Sequence, residues 1–136
     1  MDKLNALLLI TPKNELACLT SNMNIHQALE KMRAHGYSAI PVIDKEGVYC
    51  GLVSEGDLLW SIYDEEMDEE YMNETSILDI INPKRCPALK VDVSGEEIVK
   101  QITENNFIPI VDDRNILMGI VTRKRVMQAL VNRNED

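Results

Sequence analysis

The chain repeats itself. Pro41 and Pro109, Gly51 and Gly119, and Ser54 and Thr122 all stand at one constant offset of 68 residues. A self-similar chain is one supersecondary unit used twice, which restricts the fold to two copies of that unit. Asn24 with Gln27, and Ser94 with Glu97, fill the N-cap and N3 places of a capping box. Ala28, Leu29 and Met32 follow the first cap, and Ile98, Val99 and Ile102 the second. Their spacing puts each set on one helical face. Gly36 and Asn106 then tolerate left-handed backbone and read as helix stops.

Each helix leads into an apolar strand with an embedded proline, residues 37–44 in the first copy and 107–112 in the second. The second is two residues shorter before its proline. Polar turns at Lys45-Glu46-Gly47 and Asp113-Arg114-Asn115 introduce second strands, 48–53 and 116–121. Each copy closes with a helix opened by a hydroxyl residue, Ser54 or Thr122, and begins with an extended piece, near Glu15–Leu19 or Cys86–Val91. The order is β-α-β-β-α twice, an α/β chain. A unit of about 60 residues buries its sheet poorly alone, so the two are expected to pack sheet to sheet with pseudo-two-fold symmetry. The expected division is a first repeat at 1–63, an acidic linker at 64–75 and a second repeat at 76–136. Six of the seven positions from Asp64 to Glu70 are carboxylates. They read as a solvated linker or helix face, or as a patch for a divalent ion or a partner. Ser76–Ile81 reads as a short helix capped by Ser76 and stopped by Asn82-Pro83.

Charge and composition exclude several functions. The net charge of -9, from 23 acidic and 14 basic residues, repels polyanions, so nucleic acid is not an expected partner. One Trp and one Phe give no aromatic sheet for stacking bases. The longest apolar run, Ala6–Ile10, is far short of a membrane span, and no cleavable signal is expected. Cys18, Cys50 and Cys86 are odd in number and scattered, which suits reduced thiols in a cytoplasmic protein without metal knuckles.

Catalytic patterns are missing. Gly36-Tyr37-Ser38-Ala39-Ile40 starts like a nucleophile elbow and lacks its last glycine. His26 and His35 are nine apart, off the spacing at which two ligands share a helix face, and read as surface residues. No phosphate-binding glycine loop is present. Neither catalytic residues nor a metal site is expected, and the chain is not read as an enzyme.

The start of the last helix, Thr122-Arg123-Lys124-Arg125, is unusual. Cations at a helix N-terminus oppose its dipole by roughly 0.3–1 kcal/mol each. A phosphate held by the free amides and by Arg side chains would compensate. The alternative is projection into solvent, with pairing to Glu135, Asp136 or the acidic linker. The equivalent start, Ser54-Glu55-Gly56-Asp57, is either an ordinary cap or a hydroxyl-binding site. Tyr37 and Ser38 serve either a base or the core and its turn.

The segments G-Y-S-A-I-P-V-I-D and G-L-V-S-E-G-D, with N-F-I-P-I-V-D and G-I-V-T-R-K-R in the second copy, resemble two CBS domains. The tandem pair resembles a Bateman module of the stand-alone bacterial type, over about 120 of the 136 residues. The resemblance implies a regulatory module for adenine nucleotides (AMP, ADP, ATP, S-adenosylmethionine or cyclic di-AMP), with no catalytic cofactor. It also implies a homodimer and a separate, unidentified protein target. It further implies two clefts. The first, preferred, combines Leu16, Ala17, Tyr37, Ser38, Ala39 and Pro41 with Thr122, Arg123 and Arg125. The second combines Cys86, Pro87, Asn106, Phe107 and Pro109 with Ser54 and Asp57. Arg125 stands where the family's ribose-binding Asp belongs, and the second cleft has the shortened base segment. The alternative is a ligand-free scaffold for protein contacts.

Overall fold

The computed structural model describes residues 4–81 and 86–133. The chain forms two compact units: one spans residues 17–85, the other joins residues 1–16 to 86–136.

In the first unit, β2 (Leu19–Thr20) runs parallel to β3 (Ala39–Ile43), and β3 is antiparallel to β4 (Tyr49–Ser54). Between β2 and β3 lies α2 (Ile25–His35), and α3 (Glu55–Asp64) follows β4. The expected capping box holds α2. Asn24 Oδ1 accepts from Gln27 N at 2.8 Å, and Gln27 Oε1 accepts from Asn24 N at 2.9 Å. Gly36 ends the helix in left-handed geometry, φ 69, which glycine adopts without a Cβ penalty. Ile25, Ala28 and Met32 turn inward onto Leu19, Ile40, Val42, Val53 and Leu58.

The other unit repeats this plan with β5 (Leu89–Lys90), α5 (Gly95–Glu104), β6 (Phe107–Val111), β7 (Leu117–Thr122) and α6 (Arg123–Arg133). Its sheet is extended by β1 (Thr11–Pro12), antiparallel to β7 and preceded by α1 (Ala6–Leu9). The N-terminal segment, first in sequence, therefore packs with the second repeat, where Leu4, Ala6 and Leu9 join Ile98, Ile102, Ile108, Ile110, Val121 and Val126. A Cβ on Gly119 would collide with Thr11 O and lie 2.8 Å from Ile10 Cγ1. Glycine is thus required where β1 lies on β7.

Each proline sits one residue ahead of its strand's parallel partner: pairing begins at Leu19↔Val42 and Leu89↔Ile110. The missing N–H is therefore tolerated on that side of a central strand. Both antiparallel ladders bulge at the same place, between Val42 and Ile43 and between Ile110 and Val111.

Three local expectations are corrected. α5 ends at Glu104, and its C-cap is Asn105 in extended geometry at φ -132, not a left-handed Asn106. The two residues missing from the second repeat are those that carry the Gly36 turn in the first. The Ser94 cap is half a box: Ser94 Oγ accepts from Glu97 N, while Glu97 Oε1 accepts from Gln101 Nε2 at 3.0 Å. Near Glu15 the chain is a 3₁₀ turn, Lys13–Glu15, rather than extended.

The acidic segment after Asp64 includes α4 (Glu69–Glu74), capped by Asp68. Its Tyr71 and Met72 pack on the core of the first unit, while the carboxylates from Asp64 to Glu70 stay exposed. Asn24 Nδ2 donates to Asn73 O at 3.1 Å, and Ile77 N donates to Met23 O at 3.1 Å, stitching this segment to the start of α2. Ser76 caps a 3₁₀ turn, Ile77–Asp79, that buries Ile77 completely. The expected stop at Asn82-Pro83 lies outside the described residues.

Candidate functional site

Of the residues singled out by sequence, Ser38, Ala39, Ser54 and Asp57 in one unit, and Asn106, Phe107, Thr122, Arg123 and Arg125 in the other, lie at the junction where the second strand of a hairpin becomes a helix. In the first unit Ala39 pairs with Ser54, and Glu55 N donates to Ser38 O at 2.9 Å. In the other, Phe107 pairs with Thr122, and Arg123 N donates to Asn106 O at 2.9 Å. The same backbone bond thus locks both helix starts to the residue before the proline strand.

Ala17, Tyr37, Ser38, Ala39, Pro41, Ser54 and Asp57 belong to the first unit; Leu16, Cys86, Pro87, Asn106, Phe107, Pro109, Thr122, Arg123 and Arg125 belong to the other. Ser38, Pro87 and Asn106 are exposed, Tyr37, Ala39 and Phe107 half-buried, and Pro41 and Pro109 buried. Tyr37 packs partly on the core, its ring 5.7 Å from that of His35. Cys86 is buried with φ 55, and its thiol donates to Phe107 O at 3.6 Å. A half-buried thiol, Cys50, is held above the ordinary value by burial and then by Asp44. It therefore stays a protonated, poorly nucleophilic thiol.

The helix starts differ in charge. Asp57 closes a full capping box: its Oδ2 accepts from Ser54 N at 2.9 Å, and its N–H donates to Ser54 Oγ at 3.1 Å. Arg125 N donates to Thr122 Oγ1 at 3.2 Å, but a guanidinium cannot accept the return bond. Instead Arg125 Nη2 reaches Leu8 O at 3.3 Å, and Arg123 donates from Nε to Ile102 O at 3.0 Å and from Nη2 to Thr103 O at 3.5 Å.

The two guanidiniums thus have partners within their own unit. Two of the three charges opposing the dipole of α6, those of Arg123 and Arg125, meet carbonyls near the C-terminal ends of α5 and α1 within the unit, where a helix carries partial negative charge, while Lys124 is exposed. The amides of Arg123 and Arg125 are also already used. Any anion at this start must therefore be held mainly by side chains. Sequence gave no sign of these carbonyl partners, which lie about twenty and more than a hundred residues away. Glu135 and Asp136, the suggested alternative partners, lie outside the described residues.

Arg123, Lys124, Met127, Gln128, Val131 and Asn132 line a shallow, open depression along α6. His26 and His35 are exposed on α2. Among the described residues, no group of three His, Cys, Asp or Glu is placed to hold a metal, and no helix is long and apolar enough to cross a membrane.

Comparison with known proteins agrees with the repeat. The CBS-domain family model matches residues 9–64 and 77–132. Cyclic di-AMP receptor B of Bacillus subtilis is 26% identical over 113 residues, covering 79% of this chain and 73% of that protein. The CbpB protein of Listeria monocytogenes, solved in complex with c-di-AMP, is 28% identical with a TM-score of 0.83, covering 93% of each chain. Another CbpB structure has a TM-score of 0.88 at 23% identity, covering 97% of this chain and 87% of that one, a likeness of fold.

Proposed function

The chain belongs to the CBS-domain family, with two copies in tandem, and from that premise we propose that it is a regulatory module that binds an adenine nucleotide and signals that state to a separate protein. The observation that carries the reading is the charge at one repeated position. The first repeat has Asp57 there and the second has Arg125, beside Arg123 and Lys124. An acid suits ribose hydroxyls; clustered cations suit phosphate. The preferred ligand is cyclic di-AMP, whose two phosphates match the two arginines. The preferred site combines Leu16, Ala17, Tyr37, Ser38, Ala39 and Pro41 with Thr122, Arg123 and Arg125. Supporting this choice, the 28%-identical Listeria protein was solved with c-di-AMP.

The guanidiniums are not idle before ligand arrives. A phosphate would exchange with Ile102 O and Thr103 O for Arg123, and with Leu8 O for Arg125. Ligand binding would then loosen α6 from the ends of α5 and α1, and this difference in contacts is what can shift a population. The responding species is proposed to be a homodimer acting on a separate target.

Thermal unfolding against AMP, ADP, ATP, S-adenosylmethionine and cyclic di-AMP tests the reading. A ligand at 100 times its Kd adds about 2.7 kcal/mol, roughly a 5–15 °C rise in Tm at this size. The largest rise is expected with cyclic di-AMP, and a flat panel would overturn the sensor reading. The scaffold alternative is favoured by one observation, the exposed Leu59, Trp60 and Tyr63 on α3, and predicts that flat panel.

A further inference from the structure

We propose that residues 5–12 form a ligand-released arm: Arg125 caps α1 in the free protein, and a phosphate that takes the guanidinium frees that helix end. The inference rests on the nucleotide reading above and deepens it, by naming the element that responds. α1 is four residues long, Ala6–Leu9, too short to hold itself together in water. Leu8 N and Leu9 N both donate to Asn5 O, at 3.0 and 3.1 Å. At the start of the helix Asn5 Oδ1 accepts from Leu7 N at 2.9 Å. At its end, where the last carbonyls of a helix lack partners within it, Leu8 O accepts from Arg125 Nη2 at 3.3 Å, across 117 positions of chain. Ala6 and Leu9 are buried, while Leu7 and Leu8 face outward at 56% and 69% exposure, so one face alone is held by packing. β1 follows with two ladder pairs on β7, Thr11↔Ile120 and Pro12↔Gly119. A short segment with one buried face opens locally at low cost.

The exchange of Asp for Arg between the repeats creates the link. A carboxylate at this position closes its own cap, since Asp57 Oδ2 accepts from Ser54 N at 2.9 Å. Arg125 cannot accept that bond, and its side chain reaches α1 instead. Both ties of the arm run to one strand and the turn that follows it. β7 pairs with β1 through Gly119 and Ile120, and it ends at Thr122, whose Oγ1 accepts from Arg125 N at 3.2 Å. A phosphate brings a second charge to the guanidinium and can engage it bidentately, so the anion displaces the neutral carbonyl. α1 then loses its C-terminal partner. Such coupling is reciprocal: loosening α1 by other means must favour the ligand to the same degree.

Cyclic di-AMP is titrated into the full chain with affinity read by calorimetry, and amide hydrogen exchange is followed by NMR with and without it. The expected result is binding, with exchange at Leu8 and Leu9 about tenfold faster in the complex. Arg125→Ala should give the same faster exchange without ligand, and unchanged exchange in that variant overturns the cap. No binding overturns the nucleotide reading and the release with it. Binding with the α1 amides unchanged overturns the release and leaves the nucleotide reading standing. Asn5→Ala tests the coupling from the other end of α1, at an exposed residue outside the proposed site. It should tighten binding of cyclic di-AMP about fivefold, the low end of an ordinary coupling. Unchanged or weaker binding by that variant overturns the release.

Discussion

Asp57 and Arg125 occupy the same place in the two repeats, and each donates its backbone N–H to the hydroxyl three residues before it, Ser54 Oγ at 3.1 Å and Thr122 Oγ1 at 3.2 Å. Only Asp57 returns the bond. One position has therefore kept its backbone role and exchanged its side-chain chemistry. The first repeat has a closed cap, while the second sends a cation to a distant carbonyl.

Arg125→Asp should bring the second helix start to the chemistry of the first. Binding of cyclic di-AMP, measured by calorimetry, should weaken about tenfold or more with loss of a charge-assisted contact. Stability should change by less than about 1 kcal/mol, because an acid in the first turn offsets the lost bond to Leu8 O. Unchanged affinity would remove Arg125 from the site.

Arg123→Ala should destabilise the unit by roughly 1–2 kcal/mol, the scale of a charged hydrogen bond at a half-buried site. It frees the carbonyls of Ile102 and Thr103 at the end of α5. Urea midpoints report the loss, and the exposed control Lys45→Ala should fall within about 0.5 kcal/mol of the parent.

Gly119→Ala and Gly56→Ala should move in opposite directions. The first drives a methyl into Thr11 O and Ile10, and should cost roughly 1–3 kcal/mol by overpacking. The second meets only Ser54 Oγ at 3.7 Å, so helix propensity should stabilise it by up to about 1 kcal/mol. Thermal unfolding of both variants checks the pair, and a stable Gly119→Ala would mean that β1 does not lie on β7 as described.

Acid sensitivity should include Asp112. Its carboxyl is held below the ordinary 3.8 by the backbone N–H of Ile116 and then of Arg114. A depressed folded pKa gives stability that is present above the unfolded value and lost as pH falls through the folded one. An NMR titration of Asp112 should have its midpoint below 3.8, and a midpoint at or above it would show that the turn bonds are not made.

The repeat was legible because its signals are local. Asn24, Gln27, Gly36, Ser54 and Asp57 set caps and turns within a few residues of themselves, and all five act as their chemistry requires. Asn106 did not, because a two-residue deletion shifts the end of α5 relative to the strand, and no single residue announces that shift. The apolar ridge on α3 was also hidden. Leu59, Trp60 and Tyr63 look like core in sequence, and only packing leaves them uncovered.

The repeated unit, its strands and its helix starts follow from local pattern, since periodicity and capping act over one or two turns. Where the charged groups point, and which repeat takes the N-terminal segment, depend on long-range packing. Arg125 meets Leu8 O across 117 positions of chain, and Thr11 lies on β7 because Gly119 leaves room for it. Such contacts depend on how sheets and helices pack, and local propensity does not encode which distant carbonyl will stand opposite a guanidinium.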